Sequence, residues 1–95
     1  MNLLNDFFET EIQNKDMYDE IFLFVSSVHI RVGEFEGNEY VIKKMDQTNL
    51  IIYAEYVYNE VHEIHNAFSI YKNNFLHEIE NYAVARGLVL SEPVQ

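Results

Sequence analysis

The chain has 95 residues, of which 48% are hydrophobic, and it carries seven Tyr and seven Phe. This length builds one hydrophobic core, so we predict a single domain over residues 1–95, and the many aromatic side chains exclude a disordered chain. Sixteen acidic residues against six basic ones give a net charge of −10. That charge argues against direct binding to nucleic acid or to anionic membranes, because phosphate recognition depends on Lys and Arg.

The absence of Cys excludes disulfides, thiolate nucleophiles and Cys-based zinc sites. A secretory signal needs a basic start followed by an unbroken apolar stretch, and acids interrupt the apolar residues of the amino-terminal segment. The longest apolar runs, Ile21–Val25 and Leu50–Ala54, are too short to span a bilayer. We therefore expect a cytoplasmic protein.

The first predicted element is an amphipathic helix over about residues 2–14. Its apolar side chains recur at helical spacing, while its acids, Glu11 among them, are expected to point outward. The apolar residues of this helix are Leu3, Leu4, Phe7, Phe8 and Ile12.

Three strands are predicted next. The continuous apolar run Ile21–Val25 predicts a buried strand over about residues 18–25. Apolar and polar residues then alternate, which predicts a second strand over about residues 28–35. A turn centred on Glu36-Gly37, where Gly would supply a positive φ, leads into a third strand over about residues 38–45.

The segment over about residues 48–86 contains no Gly or Pro, and its apolar residues are three or four apart, which predicts helix. One straight helix would be about 58 Å long at 1.5 Å per residue, so we predict two helices, broken within residues 65–74. The alternative is one continuous helix in a dimeric coiled coil. The predicted fold is α+β, in the order α-β-β-β-α-α, with a three-stranded antiparallel sheet packed by helices.

The sequence contains no known motif for catalysis or for metal binding. His62 and His65 would share a helix face three residues apart, with Glu63 between them and His77 farther along, but no known metal-ligand pattern is present. The chain also has no nucleophile elbow and no phosphate-binding Gly loop. We therefore predict a protein that is not an enzyme, with no catalytic residues, no metal and no cofactor.

The distribution of the acidic residues is the feature of the sequence that most strongly indicates a function. Residues 1–39 hold nine acids against two bases, a local net charge of two minus nine, or −7. Glu34, Glu36 and Glu39 crowd the predicted turn, although like charges at a rigid turn repel one another. Carboxylates fixed on strands can imitate successive phosphates and accept charge-assisted hydrogen bonds from Arg or Lys.

Two collinear segments in about the first 45 residues are similar to a known family. They comprise Met1-Asn2, Asn5-Asp6, Glu11-Ile12 and Asn14-Lys15-Asp16, and then Ile30-Arg31-Val32 and Gly37-Asn38-Glu39-Tyr40-Val41-Ile42. They resemble the amino-terminal helix and central hairpin of the small acidic type II-A anti-CRISPR family, with a one-residue length difference at the turn. That family is phage-encoded and inhibits the guide-loaded CRISPR effector nuclease.

The resemblance implies a DNA mimic, active in the host bacterial cytoplasm, that occupies the nuclease's basic site for the DNA motif flanking the target. The positions that match the family's contact residues are Asp16, Glu36, Gly37, Asn38 and Glu39. We add Glu34 to this partner-binding set, with Asp19, Glu60 and Glu63 as further candidates. The second half departs from the family, since its acids are scattered where the family has a dense acidic cluster.

Two alternatives remain open on the sequence. An acidic immunity or antitoxin-like protein that neutralises a nuclease would share this size and composition. A homodimeric helical scaffold could form on the heptads of residues 48–86. A monomer is favoured for the inhibitor, and a homodimer is expected for the scaffold.

Overall fold

Three helices and one four-stranded antiparallel sheet make up residues 3–88, the part of the chain that the computed structural model describes. The elements in chain order are α1 (Leu3–Glu11), α2 (Lys15–Ser26), β1 (Gly33–Glu36), β2 (Tyr40–Lys44), β3 (Asn49–Tyr58), β4 (Val61–Tyr71) and α3 (Lys72–Ala85). The strands lie in the order β1-β2-β3-β4. The predicted α+β class is confirmed, whereas the predicted three strands and their order are wrong.

Helix α1 forms within the range predicted for the first helix. Its apolar face is buried, with Phe7 and Phe8 at 1% and 3% exposure, and Ile12 continues this face beyond the last helical residue. Phe7 packs edge-on against Tyr40, with 5.4 Å between the ring centroids. This contact fixes the helix against strand β2.

Residues 18–25, predicted as a strand, lie in helix α2. The side chain of Asn14 caps the helix by accepting a hydrogen bond from the Met17 backbone N–H at 2.9 Å. The buried side chains are Tyr18, Ile21 and Val25, spaced three and four residues apart as on one helix face. In the sequence this spacing is hard to recognise, because the apolar run Ile21–Val25 is continuous. The Asn14 cap favours the helix.

The predicted hairpin is present with a shorter first strand. Strand β1 begins at Gly33, so residues 28–32 precede it, and Phe35 is paired with Ile42 across the two strands. The turn lies at Asn38-Glu39, two residues beyond the predicted centre, since Glu36 still pairs with Val41. Both side chains of the Phe35–Ile42 pair face the helices.

The helix prediction for residues 48–86 is wrong up to Tyr71. Strands β3 and β4 form a long hairpin there, closed by Asn59 and Glu60, whose φ angles of 49° and 67° belong to the mirror-image turn favoured in two-residue hairpins. Helix follows only from Lys72 to Ala85. The heptad pattern therefore does not describe a continuous helix, and the coiled-coil scaffold loses its basis.

The three described helices share one face of the sheet with the hydrophobic core. Ile42, Leu50 and Ile52 from the strands are fully buried together with the helical side chains Phe75 and Ile79. The neighbouring strand residues point to the opposite face, which none of these helices covers. We call that opposite side the helix-free face.

A buried lysine joins the sheet to helix α2. Lys44 is 1% exposed, and its Nζ donates to the backbone carbonyls of Phe24 at 3.0 Å and Ser27 at 2.9 Å. These acceptors lie at the carboxyl end of α2, where a cation also complements the helix dipole. Burial lowers the pKa of the Lys44 ammonium, and the nearby charge of Lys72 lowers it further.

Beyond the pair Tyr40–Ala54, strands β3 and β4 continue without β2. This two-stranded extension, residues 55–65, is called the ribbon below. A β-bulge at its base shifts the register between Ile52 and Ala54, where Asn66 has a φ of 55°. The molecule is accordingly elongated, with principal extents of 53 × 26 × 24 Å.

Candidate functional site

The helix-free face presents two cross-strand rows of side chains. In one row Glu36, Val41 and Tyr53 lie side by side on β1, β2 and β3, and in the other Glu34 and Lys43 lie beside Ile51. Adjacent strands are about 4.8 Å apart, so the members of each row are close neighbours. The face thus places two predicted contact residues, Glu34 and Glu36, on one rigid strand.

Three carboxylates act electrostatically on the phenol of Tyr53. Burial raises the pKa of Tyr53, and the charges of Glu34, Glu55 and Glu36 raise it further. Because Glu55 is two residues beyond Tyr53 on β3, the strand register places it on the same side of the sheet as Glu34 and Glu36, and we call these three residues the acidic face. Glu55 was missed as a contact candidate because its segment was assigned to a helix, where it would not face the other two.

The acidic face is only partly neutralised by neighbouring cations. Lys43 approaches Glu34 at 4.0 Å, with the two side chains 43% and 49% exposed, so solvent weakens this ion pair. His62 Nδ1 lies 2.8 Å from Glu55 Oε1 and is a cation only when protonated. A basic partner would therefore meet three carboxylates against one permanent positive charge.

The side chain of Glu11 anchors the turn between β1 and β2 through hydrogen bonds to the backbone of the turn. This carboxylate is fully buried and accepts hydrogen bonds from the backbone N–H groups of Asn38 at 2.5 Å, Glu39 at 2.7 Å and Tyr40 at 3.1 Å. The prediction that Glu11 points outward is wrong, since three backbone donors hold it inward. The side chains of Asn38 and Glu39 remain exposed, so the turn is anchored while its polar groups face solvent.

Gly37 has a different role from the predicted one. The turn does not use a positive φ at Gly37; instead, a Cβ at this position would collide with the Glu11 carboxylate, whose Cδ would be 2.8 Å away. Glycine is therefore required for close approach to α1. No feature of the sequence links Glu11 to Gly37, which are 26 positions apart.

A second contact ties α1 to the hairpin. The hydroxyl of Tyr40 donates to Asp6 Oδ2 at 2.6 Å. Burial, followed by this hydrogen bond, raises the pKa of Tyr40 to about 12. The hairpin that carries Glu34, Glu36 and the turn is thus fixed to α1 at two points.

The turn and the acidic face are contiguous. The backbone N–H of Glu55 donates to the carbonyl of Glu39 at 3.1 Å, which places the turn beside the base of the ribbon. Glu34, Glu36, Gly37, Asn38 and Glu39 therefore lie side by side on this hairpin, and their role in binding a partner stays a prediction.

The remaining candidates lie elsewhere. Asp16 and Asp19 belong to α2, on the helix-covered side of the sheet, and Asp19 pairs with Lys15 at 2.8 Å. Glu60 lies in the ribbon turn, and Glu63 lies on β4 with its Oε2 3.3 Å from a ring nitrogen of His65. The structure therefore does not gather all the predicted contact residues into one surface.

The histidines are separated by the strand geometry. Because residues 61–65 form a strand, His62 lies on the side of Glu55, whereas His65 is opposite Ala54 on the other side. The expectation of a shared helix face is wrong. Within residues 3–88, no three His, Asp or Glu side chains are grouped so that they could hold a metal ion.

In comparisons with known proteins, no family model matches the chain, and neither the curated proteins nor the solved structures give a match. Among the described helices, none combines the length and the apolar character that crossing a bilayer requires. The function is therefore inferred from the surface itself and from the resemblance of the first 45 residues.

Proposed function

We propose that this protein is a non-enzymatic inhibitor that binds the basic DNA-binding cleft of a guide-loaded type II CRISPR effector nuclease and blocks recognition of target DNA. The observation that carries the proposal is the acidic face, where the strand register places Glu34, Glu36 and Glu55 on one side of the sheet. The partner itself is taken from the sequence resemblance.

The spacing of the carboxylates suits the imitation of a nucleic-acid strand. Glu34 and Glu36 are two residues apart on β1, which separates them by about 6.6–6.8 Å along the same side of the strand. Glu55 adds a third charge from β3. A cleft that binds the phosphates of DNA can also bind negative charges that a protein holds at fixed positions.

The hairpin that carries Glu34 and Glu36 is already held in place in the free protein. Glu11 anchors the turn through three backbone hydrogen bonds, and Tyr40 holds the hairpin through Asp6. Groups that are already ordered lose less conformational entropy on association, so more of each charge-assisted contact contributes to affinity. The net charge of −10 would also speed the encounter with a basic cleft at low salt.

The resemblance implies both a central hairpin and an order of helices and strands. The hairpin that contains Gly37–Ile42 is present, whereas the element order is α-α-β-β-β-β-α and differs from the order implied by the family. A nuclease-neutralising immunity protein would use the same acidic surface, so it remains the second candidate for the partner class.

The experiment is a DNA-cleavage assay on several guide-loaded type II-A effectors, with the protein added before or after target DNA. A DNA mimic inhibits when it is added first and has little effect once DNA is bound. Equal inhibition in both orders would rule out competition for the DNA site. A parallel assay with unguided nucleases tests the immunity-protein alternative.

A further inference from the structure

Strand β4 has a free edge along the ribbon. It is the last strand in the sheet order, it has 11 residues, and its described partner is β3 alone. All side chains from Val61 to Ala67 are exposed. An edge strand of this length presents a row of backbone N–H and C=O groups to which another strand can bind.

Strand β4 carries neither Lys nor Pro, two of the residues that usually protect such an edge. Proteins commonly guard edge strands with Lys, Pro or a covering element, but residues 45–71 contain no Lys, Arg or Pro. Their charged residues are Asp46, Glu55, Glu60 and Glu63, apart from the two histidines. The bulge at Asn66 limits the free edge at the base of the ribbon. The edge is therefore open and negatively charged.

Apolar side chains flank the edge on both faces of the ribbon. Ile64 is 59% exposed and lies on the side of Glu55, whereas Val61 and Tyr56, at 58% and 45% exposure, lie on the other side. A strand added to β4 would place its alternate side chains against both groups. The ribbon thus offers backbone hydrogen bonds, apolar contacts and negative charge together.

We propose that β4, between Val61 and His65, takes up an extended cationic segment of a partner protein as a fifth strand. Charge decides between possible occupants, because a second copy of this chain would bring a further net charge of −10 and the same acids to the junction. A segment in which Lys or Arg alternates with apolar residues would place its cations on the face of Glu63 and its apolar side chains against Ile64 on the other face. This inference rests on the proposed function only in taking the partner to be basic.

The test uses the full chain and a synthetic peptide in which Lys alternates with Val. Backbone amide hydrogen exchange should slow by at least about tenfold when the peptide is bound, at those residues of 61–65 whose N–H groups point away from β3. The peptide affinity should fall by about fivefold to tenfold in Glu63→Lys and by less than about twofold in Glu78→Lys, which changes the net charge equally on the exposed surface of α3.

Two further peptides keep the proposal falsifiable. One has Glu in place of Lys and should not bind, while the other keeps every Lys but has Pro in place of Val, which cannot donate a strand hydrogen bond. Equal binding of the Pro peptide, or protection confined to the acidic face, would overturn strand addition. Either result leaves the cleavage assay unaffected, so failure here is distinguishable from failure of the proposed inhibition.

Discussion

The carboxylate of Glu11, at the end of the first helix, lies directly against Gly37 in the turn that joins β1 to β2. The carboxylate accepts hydrogen bonds from the backbone N–H groups of the next three residues, and the missing side chain of Gly37 leaves room for it. A helix terminus therefore sets the position of the turn beside the acidic face.

Replacing Glu11 should be costly. Glu11→Ala leaves three backbone donors without their partner in a part-buried site, and we expect a loss of about 2–4 kcal/mol in the free energy of unfolding. The control is Glu9→Ala, which removes an exposed pair with Arg86 and should cost less than about 1 kcal/mol. Urea unfolding measures both, and similar losses would contradict the anchoring role.

Gly37→Ala should destabilise through contact with Glu11. We expect a loss of about 1–3 kcal/mol, because the new methyl group overpacks a site already filled by the carboxylate. In the Glu11→Ala background the same change should cost much less. A double-mutant cycle measures this coupling, and additive losses would show that the two side chains do not compete for space.

A pH-dependent contribution comes from the turn between β2 and β3. The carboxylate of Asp46 accepts hydrogen bonds from the backbone N–H of Thr48, from the side-chain amide of Asn49 and from the Thr48 hydroxyl, and these contacts lower its pKa from 3.8 to about 2. Since the folded pKa is the lower one, the contribution is present above pH 3.8 and is lost as the pH falls through about 2.

The matched variant is Asp46→Asn, which keeps an acceptor oxygen and removes the titration. Unfolding free energies measured across this window should fall more steeply for the wild type than for the variant. Parallel pH profiles would contradict the assignment to Asp46.

The sequence predicted correctly those helices and strands whose residue spacing fits only one type of secondary structure. The first helix and the hairpin around Gly37 follow from apolar spacing and from strand alternation on either side of a turn. The run Ile21–Val25 was misassigned because a continuous apolar stretch fits a buried strand as well as a helix. The Asn14 cap, visible in the sequence as an Asn just before Lys15, is the signal that could have decided for a helix.

The long hairpin was missed for a different reason. Its turn contains no Gly, since Asn59 and Glu60 adopt positive φ without one, and the spacing of its apolar residues also satisfies a helix. The clustered β-branched residues and the alternation Leu50, Ile52, Ala54 on the core face were the competing signals. Because this segment was read as helix, Glu55 was not recognised as a neighbour of Glu34 and Glu36.

The turn of the ribbon leads to a stabilising substitution. Glu60 has a φ of 67°, a conformation that costs a non-glycine residue about 1 kcal/mol, so Glu60→Gly should raise stability by about 0.5–1 kcal/mol. Asn-Gly is also the favoured pair for this turn type. Glu63→Gly, in the interior of β4, should instead lower stability. Thermal unfolding of the two variants tests the contrast, and a loss of stability in Glu60→Gly would refute it.

The most direct test of the acidic face compares two charge-matched double variants in the cleavage assay. Glu34→Gln with Glu36→Gln removes two carboxylates from the face, whereas Glu78→Gln with Glu80→Gln removes two exposed carboxylates from α3. Circular dichroism first establishes that both are folded. Removing one member of a desolvated charge pair typically costs about 2–5 kcal/mol. The inhibition constant should therefore rise by at least about 30-fold for the first pair and by less than about threefold for the second. An equal loss of inhibition in both double variants would mean that only bulk charge acts, and it would contradict a specific role for the acidic face.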